Sequence, residues 1–258
     1  MAVVLLGVGA DGGNVQPPPR ILNDRTFEYI PIPEKASKTT ETRTYGSMTQ
    51  RHGEGTLADL VDGIRPNQDA EWIKDQSVIE NHPVHYDPNF TDLTYGEGGK
   101  DANINSIASL GEGDILAFYT GFNTRGNMHR YLFGYFTLNR DPVIIEKDTP
   151  ASDVELILGA HPANAHWKRF KGNDGLYAFD PDQPSGASRV ALVDGCEPGG
   201  LLDRAVQLSN PEDTGNFYLQ ETLKQALHAE SDYLGGFKPP IRCNIEATDF
   251  REFVDAYQ

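Results

Sequence analysis

The chain of 258 residues carries 38 acidic and 22 basic side chains, a formal net charge of -16 at pH 7, and only two cysteines, Cys196 and Cys243. This length buries a substantial core without covalent or metal staples, so a disulfide-dense scaffold and a cysteine zinc ribbon are excluded, with a single Cys196–Cys243 bond left open. No stretch approaches the length of a membrane span, and no basic patch stands out that would grip nucleic acid by charge alone.

Residues 3–8 predict a strand that delivers the chain to Gly7, Gly9 and Gly12 at the spacing G-x-G-x-x-G. A dinucleotide site would need a helix to begin there, with its free N–H groups on a pyrophosphate. Gly13 and the prolines at 17, 18 and 19 argue against that helix, since proline has no N–H and holds the preceding residue extended. "TFEYIPIPE" alternates Phe27, Tyr29, Ile30 and Ile32 as a strand before proline ends it, and the polar stretch from Lys35 to Gly55 is expected as a mobile surface loop. "TLADLVDGI" from Thr56 and "DAEWIKDQSVIE" from Asp69 have helical apolar spacing. "HPVHYDPNF" is extended and then turned by Pro88.

"DANINSIASL" from Asp101 predicts a short helix with an acidic N-terminus. The apolar runs 115–122 and 129–138, joined by a polar glycine-containing loop, predict a buried hairpin, and "PVIIE" from Pro142 extends its sheet. Further on, "SDVELILGA" reads as helix, "GLYAFD" and "SRVALVD" as strands, and "GNFYLQETLKQALHAESDYL" as the longest amphipathic helix, with Phe217, Leu219, Leu223, Ala226 and Leu227 on one face. "ATDFREFVDAY" predicts a last helix. The sum is one α+β domain over residues 1–258: a mixed, barrel-like sheet core with flanking helices.

The acidic residues are dispersed along the chain, the surface expected of a protein kept soluble in concentrated salt. A protein relying on ~6 phosphate contacts would lose about five orders of magnitude in affinity per tenfold rise in salt, so recognition there must come from shaped pockets, stacking and hydrogen bonds. The apolar start, Ala2 to Leu6, is shorter than a signal peptide's apolar region and no basic residue precedes it. A soluble, cytoplasmic, halophilic protein is the expectation.

The pattern "GEGDILAFYTGF...HRYLFGYFTL", residues 111–138, resembles the central hairpin of PUA-like domains, including the EVE and ASCH families. A broader set of blocks, "GADGGNVQPPPRIL...YIPIPE", "VHYDPNF", "YGEGGKDANINSI", "GDILAFYTGF", "YLFGYFTL" and "HPANAHW", is similar in order to the third nucleotide-modification-associated domain family. The chain departs from that family at "PPPRIL", where Arg20 stands in place of a Ser-Pro-Ile-Leu-like segment. The resemblance implies a modified-nucleotide context, with the opening glycine loop as a substrate-facing turn.

Several residues could carry chemistry. His85 and Asp87 stand two apart, on one side of a strand, as a candidate acid–base pair. His161, His166 and Trp167 offer ring faces and donors that suit a nucleobase clamp. By analogy with PUA-like readers, Tyr119 and Phe122 line a pocket beside the hairpin, and Asp11, Asn14 and Gln16 supply edge-reading groups. His85, Asp87, His161 and His166 have ligand chemistry but no recognised metal spacing, so no metal is assigned and the cofactor is left open. Cys196 lacks a basic neighbour and is rejected as a nucleophile. Three functions follow as expectations: a module binding a nucleotide or nucleic acid with a modified base, an enzyme making or processing a modified nucleotide, and a subunit joining the protein partners of a DNA modification or defence complex.

Overall fold

A computed structural model describes residues 2–10, 12–67, 69–98, 101–124, 126–146, 148–172, 189–235 and 239–257. Its centre is a mixed sheet of seven strands. The first strand, β1 (Val3–Gly7), runs parallel to β7 (Ile115–Thr124) and antiparallel to β11 (Ile241–Cys243). The predicted hairpin is present as β7 and β8 (Asn127–Leu138), in register from Ile115–Thr137 to Thr124–Asn127. Both strands are apolar almost throughout because both faces are covered.

The neighbour of β8 is β10 (Arg189–Gln207), whose pairing with β8 is interrupted by two register shifts. Its first residues leave β8 and lie between β6 (Thr94–Glu97) and β9 (Val143–Glu146). Bulges bend a strand in this way, and here they carry the sheet past the plane of the hairpin. The order β11-β1-β7-β8-β10-β6 ends at two different strands, so the sheet is open and the expected barrel does not close. Two ribbons flank it: β2 (Val15–Gln16) with β4 (Gly63–Ile64), and β3 (Ile32–Pro33) with β5 (Val84–His85).

Aromatic rings fill the main core. Phe90 sits edge-on to Tyr29, Phe118, Phe133 and Phe136, with centroids 5.3–5.8 Å apart. Gly134 makes room for it, since a Cβ there would lie 2.4 Å from the Phe90 ring and 2.9 Å from the Gly200 carbonyl. A smaller cluster of Ile145, Val154, Leu158, Phe170, Val190 and Leu192 lies at the β9–β10 end. It is made with α3 (Ala151–Gly159) and α4 (Ala165–Gly172), and it fixes α4 over β6.

The short helix α2 (Asp101–Ile107) and the final helix α6 (Ala247–Tyr257) form as predicted. Elsewhere apolar spacing misled. Residues 56–64 make a one-turn 3-10 helix, Leu57–Leu60, and then β4. In 69–80, Ile73 bridges to Ile64, so helix α1 (Gln76–Asn81) starts only after Asp75, whose carboxylate accepts from Ser77 N. The long helix expected over 215–234 shrinks to α5 (Glu221–Ala226): Leu219 is extended against Ser209, and Leu219 N donates to Asp232 O. Two different local structures there point their apolar residues into one core.

The segment 35–55 is tied down at several points. Tyr45 is fully buried and its hydroxyl donates to Pro31 O, Lys168 of α4 pairs with Glu41, and Gly172 packs on the Thr39 backbone. The "GLYAFD" strand falls outside the described residues.

Candidate functional site

Four remote segments meet at the end of α4. The β3–β5 ribbon sets the first two: Glu34 follows β3 and its N–H donates to Pro83 O, while His85 closes β5 opposite Ile32. Asp87 lies two residues on, its N–H donating to His85 O. From β6, Gly96 N donates to both carboxylate oxygens of Asp87 at 3.2 and 3.0 Å. Asn164 starts α4 by accepting from His166 N at 2.8 Å, and its own amide donates to Thr94 Oγ1. His166 and Arg169 then share one face of the helix at three-residue spacing, while Phe170 turns into the smaller core. Burying Phe170 contributes about 2 kcal/mol to holding that face in place.

His85 Nδ1 is 2.9 Å from Glu34 Oε2, and the same carboxylate takes the Arg169 Nε hydrogen at 2.9 Å. Arg169 Nη2 also lies 3.0 Å from His85 Nδ1, yet that nitrogen cannot both donate to Glu34 and accept from Arg169. An ionised carboxylate can only accept, so the Glu34 contact puts the proton on Nδ1 and leaves a lone pair on Nε2. That Nε2 is 3.8 Å from Asp87 Oδ2, and His166 Nε2 is 3.4 Å from the same oxygen. The two imidazoles meet edge to face at 5.4 Å. All three residues are buried.

Burial alone would raise the Glu34 carboxyl, but the Arg169 guanidinium and His85 outweigh it and hold Glu34 well below the usual carboxylate range. Burial, joined by the Arg169 charge, lowers His85, and the same causes push His166 down to about 4. Burial pushes Asp87 up to about 8 against the pull of His85 and Gly96. Two imidazoles whose protonation burial disfavours and a carboxyl whose ionisation it disfavours thus face one point. The Tyr29 hydroxyl is buried without a hydrogen-bond partner, and burial together with the Tyr86 and Asp87 groups raises it.

The family model for nucleotide modification associated domain 3 matches residues 2–250. The chain belongs to that family. No curated protein and no solved structure matches it. Within this domain the cluster draws on four of the family-like blocks: "YIPIPE" supplies Glu34, "VHYDPNF" supplies His85 and Asp87, "YGEGGKDANINSI" supplies Gly96, and "HPANAHW" supplies His166.

The other sequence-derived candidates lie elsewhere. His161 bonds Asp194 at 2.7 Å through Nδ1, and Trp167 stacks on Phe170 at 5.7 Å, so these two and His166 do not form one clamp. Tyr119 is fully buried with its hydroxyl donating to Pro239 O, and Phe122 packs between Phe27 and Tyr131, so both rings belong to the core. Asn14 precedes and Gln16 ends the β2 strand of the β2–β4 ribbon, and Asn14 O accepts from Arg65 N and Gln16 O from Asp62 N. Asp11 lies outside the described residues. The glycine turn abuts the core: Gly9, at φ +81°, faces Thr120 and the Tyr29 ring. Both cysteines are free.

The pairing of His85 with Asp87 needs one correction. The carboxylate that orients the imidazole is Glu34, whereas Asp87 stands beyond hydrogen-bond distance on the opposite nitrogen. Glu34 and Arg169 escaped the sequence reading because each is a lone charge in an unremarkable stretch. The one available signal was the helical spacing of His166 and Arg169 behind Asn164.

Proposed function

We propose that this domain is an enzyme of nucleotide modification whose reaction centre is the buried cluster of His85, Asp87 and His166, with Glu34 and Arg169 as positioning residues. The observation that carries this is the convergence of four family-like segments, far apart in sequence, on one point faced by two imidazoles and a carboxyl. Asp87 Oδ2 stands 3.8 Å from the Nε2 of one ring and 3.4 Å from that of the other, so three titratable groups shifted by burial converge on one place, as they do at reaction centres. The substrate is a nucleotide, or a nucleic acid carrying a modified base, with the proteins of a modification system as partners. Recognition by shape and hydrogen bonding suits a chain of net charge -16 working in concentrated salt in the cytoplasm.

The test is a thermal-shift screen in about 2 M salt against normal and modified nucleosides, nucleotides and short DNA, followed by mass analysis of any ligand that binds. Ligand at ~100 times its dissociation constant raises stability by about 2.7 kcal/mol, a readable shift. An enzyme changes the mass of the bound nucleotide, and Asp87→Asn abolishes turnover while leaving most of the shift. Binding without turnover would establish a reader of modified bases instead, and no binding with a co-purifying protein would establish an assembly subunit.

A further inference from the structure

We propose that His85 Nε2, Asp87 Oδ2 and His166 Nε2 form a binding site for one divalent first-row transition-metal ion of the zinc or iron class. The assignment deepens the reading of this cluster as a reaction centre and rests on it for its role, while the ion itself is tested without any nucleotide.

The distances set the argument. The three ligand atoms lie within 4.8 Å of one another, with 3.8 Å from His85 and 3.4 Å from His166 to the Asp87 oxygen. An ion with bonds of about 2.0–2.1 Å in tetrahedral geometry separates its ligands by about 3.3 Å, so sub-ångström side-chain shifts close the site. The donor set is selective as well. Two imidazoles and one carboxylate suit zinc or ferrous iron with open positions, whereas magnesium and calcium prefer oxygen donors throughout.

The surroundings fit a ligand set rather than a packed polar core. Glu34 holds the Nδ1 proton of His85 and so aims the Nε2 lone pair inward, the carboxylate–histidine–metal arrangement. Arg169 in turn fixes Glu34 with Nε bonds of 3.1 and 2.9 Å to its two oxygens. His166 is slotted against bare backbone: a Cβ on Gly96 would stand 2.3 Å from its Cδ2, and one on Gly98 3.3 Å from its Cε1.

The experiment is elemental analysis of the full chain purified without chelator, then removal of metal and titration with Zn²⁺, Fe²⁺ under anaerobic conditions, Mn²⁺ and Mg²⁺, each alone. One equivalent of zinc or iron per chain is expected, with Mg²⁺ failing to compete, and the preferred ion separates the two metals. Asp87→Asn and His166→Ala abolish tight binding, and Glu34→Gln weakens it about 10- to 100-fold. His161→Ala, which removes a buried histidine bonded to Asp194 outside the cluster, keeps full stoichiometry. Circular dichroism of each variant checks that it folds. Should His166→Ala fail to fold, Asp87→Asn, which preserves shape and an acceptor for Gly96, decides. No bound ion, binding unchanged in Asp87→Asn, or equal loss in His161→Ala overturns the site. Ion binding without nucleotide turnover overturns the enzymatic reading alone, and turnover by metal-free protein overturns the ion.

Discussion

Glu34 and Arg169 show how a single buried charge is made tolerable and then useful. Glu34 is 1 % exposed and has Arg169 on both oxygens, so removing the guanidinium leaves a carboxylate in a dry site with His85 and the Lys35 N–H but no full positive charge beside it. Breaking such a pair costs roughly 3–5 kcal/mol. Arg169→Ala is therefore expected to lower unfolding stability by about that amount in urea titration, and Glu34→Ala by less, because Arg169 keeps some access to water. Equal or reversed losses would place the burden on another group. Asp194 gives the pH case. Burial raises its carboxyl, but His161 and Arg140 outweigh that and lower it from its ordinary 3.8. A lowered carboxyl contributes stability that is present above the unfolded value and lost as pH falls through the folded one. The melting-temperature gap between wild type and Asp194→Asn should be constant above about pH 5 and close as pH drops below 3.8.

At the scale of elements, β10 and α4 decide where the chemistry goes. The bend in β10 separates β6 and β9 from the hairpin, and the pocket of Ile145, Val190 and Leu192 seats Phe170 so that α4 presents His166 and Arg169 to the β3–β5 ribbon. The hairpin contributes packing. Gly134→Ala forces a Cβ to within 2.4 Å of the Phe90 ring and 2.9 Å of a backbone oxygen, with four aromatic neighbours preventing retreat. Overpacking of this kind costs typically ~1–3 kcal/mol, and calorimetry of the variant measures it. A neutral result would mean that the β8–β10 pairing yields at Gly200. No helix among the described residues is long and apolar enough to cross a membrane.

For the whole molecule, charge is the governing quantity. A net charge of -16 repels itself over a Debye length of ~10 Å at 0.1 M salt but only ~3 Å at 1 M. Folded structure followed by circular dichroism is expected to be lost as salt falls from molar to about 0.1 M, and full stability at 0.1 M would show that core burial suffices without screening.

The sequence by itself determined the elements whose neighbours are local. Strand β1, the β7–β8 hairpin, α2, α3 and α6 follow from apolar period and turn residues, which act within a dozen residues. It also placed His85, Asp87 and His166 among the candidates, because those residue types carry their chemistry with them. It misjudged 69–80 and 215–234, where helical spacing was produced by extended residues such as Ile73 and Leu219 paired with Ile64 and Ser209. Only the tertiary structure decided which candidates meet. It brought Glu34 to His85 across 51 positions and Arg169 to Glu34 across 135, and it sent His161 to Asp194 instead. Such partners are fixed by strand pairing and helix seating across the whole chain, and a lone charge in a polar stretch carries no trace of them.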